Sequence, residues 1–224
     1  MAKKDVSAVV SGAGFVSSFW ANLDKEVRKR GGSDEAIYEA LKDDSPLIPR
    51  FAELVVEMSR PKNPSLLIPV GTAMVTATTT LFVASDRFVV NTEKNAPVKI
   101  SYLGDNFMDW FLGKEEQPFG GSTLNYGRLS RSSLDGPIIA KLGGEAKAET
   151  TLTELFSLME MQKNGESGPL LINGYANIFY IRDVNGVLRA VSAYWNSDGW
   201  RVAAHSIAGP HWWGGGDQVF SRNS

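Results

Sequence analysis

Apolar residues in the first sixty positions recur at helical spacing. Phe15, Val16, Phe19, Trp20, Leu23 and Val27 fall at intervals of one, three and four, which lines them along one helical face. Lys25, Arg28, Lys29 and Arg30 crowd the last turn, where positive charge suits the helix dipole, and Gly31 and Gly32 stop the helix. Ser33 is placed to cap a second helix, with Asp34 and Glu35 in its first turn and Ile37, Tyr38, Ala40 and Leu41 as its apolar face. A third helix is expected from Pro49, carrying Phe51, Leu54, Val55 and Met58 inward.

At Pro61, Asn63 and Pro64 the period switches from helical to extended. Leu66 to Val70, Ala73 to Ala84, Arg87 to Asn91 and Val98 to Leu103 are strand candidates. A short amphipathic helix is expected from Asp105, with Phe107, Trp110, Phe111 and Leu112, closed by Gly113. Lys114 to Ser122 reads as a loop, Leu124 to Leu129 as a weak strand, and Pro137 to Leu142 as one or two helical turns ended by Gly143 and Gly144. Thr151 and Glu154 have capping-box spacing ahead of Leu152, Leu155, Phe156 and Met159, and Asn164 and Gly165 end that segment. From Pro169 the pattern is an antiparallel meander. Ala176 to Arg182 faces Val187 to Trp195 across a turn holding Asn185-Gly186, a strong hairpin signal. Ser197-Asp198-Gly199 turns into Trp200 to Ile207, and a last short strand includes Gln218 to Phe220.

These elements predict an α+β fold in which an N-terminal helical layer packs on a predominantly antiparallel β-sheet with inserted short helices. The expected division is a helical region, 1–62, and an α+β region, 63–224.

Two stretches imitate membrane segments. Val6 to Leu23 follows Lys3 and Lys4, but Asp5 and four serines interrupt the likeness to a signal peptide, and with Met1 in place no cleaved leader is expected. Asn63 to Ser85 is uncharged, yet its prolines and five threonines suit strands better than a spanning helix. Charge excludes other classes. With 23 basic against 25 acidic residues, and ten of each in residues 1–62, no basic surplus exists to neutralise nucleic-acid phosphates or an anionic membrane surface. The chain has no cysteine, which removes disulfides, thiolate zinc sites and cysteine nucleophiles and fits a reducing, cytoplasmic compartment. With two histidines only, no histidine-rich metal centre is available, and neither a metal nor a cofactor is expected.

Ser11-Gly12-Ala13-Gly14-Phe15-Val16-Ser17 imitates a dinucleotide-binding glycine loop, but Ser17 replaces the last glycine and no βαβ unit follows. It reads as a helix entered through small residues. His205 lies on a strand among Ala203, Ala204 and Ile207 and reads as a half-buried structural residue. His211, beside Pro210 and Trp212-Trp213, is the better functional candidate. Glu154 is explained as a cap and Asp183 and Asp198 as turn residues, which leaves no assigned carboxylate pair.

The C-terminal quarter is compositionally unusual. Nine aromatic residues lie between Tyr175 and Phe220, and from Ser167 onward only four arginines and three aspartates carry charge. Aromatic enrichment with lysine and glutamate depletion matches a partner interface, although the same rings can fill a core. Alternation puts Phe179 and Ile181 on one face and Ile178 and Tyr180 on the other, so the sheet must be covered on both sides. Gly209-Pro210-His211-Trp212-Trp213-Gly214-Gly215-Gly216 couples two tryptophans to a flexible loop.

Ala8-Val9-Val10-Ser11-Gly12 through Phe19-Trp20-Ala21-Asn22-Leu23-Asp24, Lys99 to Phe107, Thr151 to Phe156 and Asn177 to Asp183 together resemble an uncharacterised protein family of environmental and candidate-phylum bacterial genomes. The resemblance implies a bacterial origin and carries no residue roles. The expected function is that of a binding or self-assembling protein whose partner is another protein or a second copy. Its binding residues are expected to be Trp212, Trp213, His211, Trp195, Trp200 and Tyr194. The alternative is a small hydrolase-like enzyme with His211 as acid or base and Asp217 or Asp198 assisting.

Overall fold

The computed structural model describes residues 6–40, 42, 49–50, 53, 65–209 and 211–222. Two compact units divide the chain, Met1–Asn63 and Pro64–Ser224. In the first, α1 (Val6–Lys29) runs straight through Ser11-Gly12-Ala13-Gly14, so that stretch is helix and not a phosphate-cradling loop. Gly31 adopts φ +83° and Gly32 N–H closes back onto the Val27 carbonyl at 2.9 Å, the left-handed stop that two glycines permit. Ser33 Oγ accepts from Ala36 N–H at 3.3 Å at the start of α2 (Asp34–Ala40). Leu41 and the expected inward residues Phe51, Leu54, Val55 and Met58 lie outside the described residues.

The second unit is α+β. Its elements are β1 (Leu67–Val75), β2 (Phe82–Val83), α3 (Ala84–Arg87), β3 (Ile100–Leu103), α4 (Asp105–Phe111), β4 (Glu115–Glu116) and β5 (Ser122–Leu129), followed by α5 (Asp135–Leu142), α6 (Glu145–Ala148), β6 (Glu149–Thr150) and α7 (Leu152–Met161). β7 (Asn177–Arg182), β8 (Leu188–Asn196), β9 (Gly199–Ser206) and β10 (Gln218–Arg222) complete it. Eight strands form one mixed sheet in the order β1-β5-β10-β7-β8-β9-β3, with β6 beside β7. Its long ladders are antiparallel; the short β10–β7, β6–β7 and β3–β9 ladders are parallel. β2 and β4 pair separately. Of the uncharged stretch expected as strand, Leu67–Val75 form β1, an edge strand whose register slips between Pro69 and Gly71, and Phe82–Val83 form β2, but residues 76–81 are not strand and Ala84 opens α3. Proline, which lacks a ladder donor, is tolerated at such an edge bulge. No helix among the described residues is long and apolar enough to cross a membrane.

Helices inserted between the strands cover the sheet. On one face Phe107 and Phe111 of α4 and Leu152, Leu155, Phe156 and Met159 of α7 pack against Phe179, Val191, Trp200 and Phe220. The Phe179 and Phe220 rings stack with centroids 4.5 Å apart. On the other face Ile138 and Ile139 of α5 and Ala148 of α6 cover Ile178, Tyr180, Ala190 and Val219. Each large side chain buried in this way contributes about 1.5–3 kcal/mol relative to exposure.

The start of α7 is capped twice over. Thr151 Oγ1 accepts from Glu154 N–H at 3.2 Å while Glu154 Oε2 accepts from Thr151 N–H at 2.8 Å, the reciprocal box expected from sequence. Glu116, in the stretch read as loop, accepts from Leu152 N–H at 3.0 Å and Thr153 N–H at 2.8 Å. Four backbone donors at this helix end are thus satisfied by two carboxylates and a hydroxyl. Thr151→Ala is expected to lower the unfolding free energy by about 1 kcal/mol, read as a shift of the urea midpoint at constant slope.

Candidate functional site

α5 and α6 cover only part of the second face of the sheet. Over β8 and β9 the covering is done by residues 211–217, ahead of β10, and their contacts pin them in place. Ser133 and Trp213 exchange both backbone hydrogen bonds, at 3.1 and 2.9 Å. Asp217 Oδ2 accepts from Gly214 N–H at 2.7 Å and its Oδ1 from Ala176 N–H at 3.0 Å. Gly216 takes φ +102° with the Tyr175 ring so close that a Cβ would fall 2.8 Å from it. The glycines let the segment lie flat.

This anchoring sorts the two tryptophans. Trp213 points inward, 3% exposed, and its indole N–H donates to Asp135 Oδ1 at 2.7 Å. Tyr180 O–H donates to the same oxygen at 2.8 Å. Asp135 is 1% exposed, and its Oδ2 has no hydrogen-bond partner. Burial raises the Asp135 pKa; the Trp213 and Tyr180 hydrogen bonds and the nearby His211 oppose that rise. Burial also drives the Tyr180 phenol upward, reinforced by the Asp135 charge. Trp212, the next residue along, is 62% exposed.

His211 stacks on His205 with centroids 4.1 Å apart and planes 18° apart, and both rings meet Trp213 edge-on. His205 is half-buried, and its pKa is lowered by desolvation and by the charge of His211. Together with Ser192, Tyr194, Ala203 and Trp212, the two imidazoles line a cleft of about 360 Å³. Alternation on β9 puts Arg201 in the same row as Ala203 and His205, and register sets it opposite Tyr194. Arg201 Nε donates to the Tyr194 hydroxyl at 3.0 Å, and its guanidinium lies 4.4 Å from the ring centre of Tyr102, an exposed residue of β3. The result is a continuous aromatic and cationic surface from Tyr102 to Trp212.

Of the six residues expected to bind, Trp212, His211 and Tyr194 meet at this cleft and Trp213 forms its inner wall. Trp195 and Trp200 do not join them. They sit on the opposite face, where Trp200 is fully buried and donates to the Gln162 carbonyl at 3.1 Å, while half-buried Trp195 packs on it and against Gly165. Trp200 and Trp213 are core residues, not surface anchors. The reason is hydrogen bonding as well as packing, since each indole N–H has found a buried acceptor. Sequence reasoning missed Arg201, Tyr102, Asp135 and Tyr180 and set His205 aside. The period-2 row Arg201-Ala203-His205 was the signal available for two of them.

For acid–base chemistry the surroundings are thin. Both Asp217 oxygens are engaged by backbone N–H groups, and Asp198 is exposed in the β8–β9 turn. Among the described residues no group of three His, Asp or Glu side chains is placed to hold a metal ion. Compared with known proteins, the chain matches no family model, no curated protein and no solved structure.

Proposed function

We propose that this chain is a binding protein and that its recognition surface is the open end of the second sheet face, from Tyr102 through Arg201 and Tyr194 to Trp212. The occupant is a polypeptide, either another protein or a second copy of this chain. One observation carries the reading: a large aromatic side chain is held 62% exposed on a segment that its neighbour Trp213 fastens to the core. An exposed tryptophan on an already ordered backbone is a preorganised anchor, because little further ordering is needed when a partner arrives. Arg201 and the tyrosines around it are the other residue types enriched at such surfaces.

A photo-crosslinking residue at position 175, beside this surface, tests the proposal. In cells of the source organism the full chain is expected to yield one discrete adduct that disappears in the Trp212→Ala variant. An adduct of the chain with itself, matched by a sedimenting dimer that Trp212→Ala dissociates, identifies the partner as a second copy. Adducts that persist unchanged in Trp212→Ala would count against the surface.

A further inference from the structure

A larger cleft of the second unit lies elsewhere, between the α5–α6 corner and the floor made by β1, β5 and β10. We infer that it binds a single-chain aliphatic carboxylate. The cleft measures about 620 Å³, within the usual 300–1,000 Å³ of small-molecule sites. Leu67, Pro69, Gly127, Leu142 and Val219 give it an apolar lining, and Gly127 lets the β1 backbone pack close, since a Cβ there would fall 3.0 Å from the Ile68 carbonyl oxygen. Charge at the cleft has one sign: Lys141, Lys147 and Arg222 line it, and no acidic residue among those described does.

The nearby carboxylates are already engaged. Glu145 and Glu149 pair with Arg182, at 3.3 and 3.0 Å, and Glu154 takes Arg222 at 3.4 Å. Lys141 and Lys147 have no ion-pair partner among the described residues. In a chain whose net charge is −2, two unpaired ammonium groups over an apolar trough form a local exception. The backbone builds it: Gly143 and Gly144, at φ +98° and +101°, turn the chain so that both lysines reach one cleft. The aliphatic stem of Lys147 lies across Gly143, where a Cβ would come within 2.8 Å of it. An apolar tail fits the trough and a carboxylate head fits the lysines, so the occupant is an anionic amphiphile. This site is independent of the Trp212 surface.

Calorimetric titration of the full chain with dodecanoate, below its micelle concentration, tests this. One saturable site is expected. Affinity should fall at least tenfold in the Lys141→Glu/Lys147→Glu double variant and about as far in Lys141→Gln/Lys147→Gln, with the far-ultraviolet dichroism unchanged. Butyrate, with the charge but little tail, and dodecyltrimethylammonium, with the tail and the opposite charge, should both bind at least tenfold more weakly. Trp212→Ala should bind dodecanoate as the wild type does. The proposal fails if dodecanoate shows no saturable binding, if either double variant keeps full affinity, or if the cationic amphiphile binds equally well.

Discussion

Trp213→Ala is expected to remove about 3–5 kcal/mol of unfolding free energy, whereas Trp212→Ala changes it by less than about 0.5 kcal/mol. The two residues are adjacent and chemically identical, so the contrast isolates environment. Trp213 fills the core against Ile138, Tyr180 and Ala190, and its truncation leaves a cavity the size of an indole. It also withdraws one of the two donors on the buried Asp135 oxygen, and removes the wall against which His205 and His211 rest. Trp212 has most of its surface in water already. Urea denaturation of both variants provides the comparison, and equal midpoint shifts would mean that the segment between β9 and β10 is not fastened as described.

The second large effect belongs to Asp135. Replacement by alanine leaves the Tyr180 hydroxyl and the Trp213 indole N–H as buried donors without an acceptor. At about 1–3 kcal/mol for each such group, a loss of about 2–6 kcal/mol is expected. Asp135→Asn keeps an oxygen for both donors and removes the ionisable group. Its consequence is a change in pH dependence. Because burial raises the Asp135 pKa, the folded chain binds more protons than the unfolded chain between the ordinary carboxylate range and the raised value. Stability attributable to this group is therefore full at low pH and is lost as pH climbs through that window. Asparagine has no such slope, so the advantage of Asp135→Asn over wild type should widen with rising pH and then level off. Denaturation midpoints across the acidic to neutral range measure it, and parallel profiles would contradict the assignment.

Much of the architecture could be read from local pattern. The caps at Ser33 and Thr151, the Gly31 and Gly143 stops, and the β7–β8 hairpin through Asn185-Gly186 depend on residues close in sequence, and each is present. Failures fall where partners are distant. The pattern of Arg87 to Asn91 predicts a strand, yet Ala84–Arg87 is a helical turn and only Asn91 bridges, to Ile100. β3 is shorter than the run Val98 to Leu103 because it is defined by parallel pairing with β9, a hundred residues away along the chain. Glu116 gives no local sign of capping α7. The candidate site divides in the same way. Trp212, His211 and Tyr194 were legible as aromatic and imidazole groups near a turn. The opposite fates of Trp212 and Trp213 are decided by Asp135, which no periodicity connects to them.

β10 sits in the middle of the sheet, between β5 and β7, and among the described residues no other ladder joins the strands on its two sides. During synthesis, every other strand of the unit leaves the ribosome before the one that unites them. Until Arg222 has emerged, β1 and β5 on one side and the meander on the other must wait with a strand edge bare. Completion of this unit is thus a late, long-range event that local hairpin formation cannot complete alone. Until β10 has paired on both sides, those bare edges leave the unit open to aggregation.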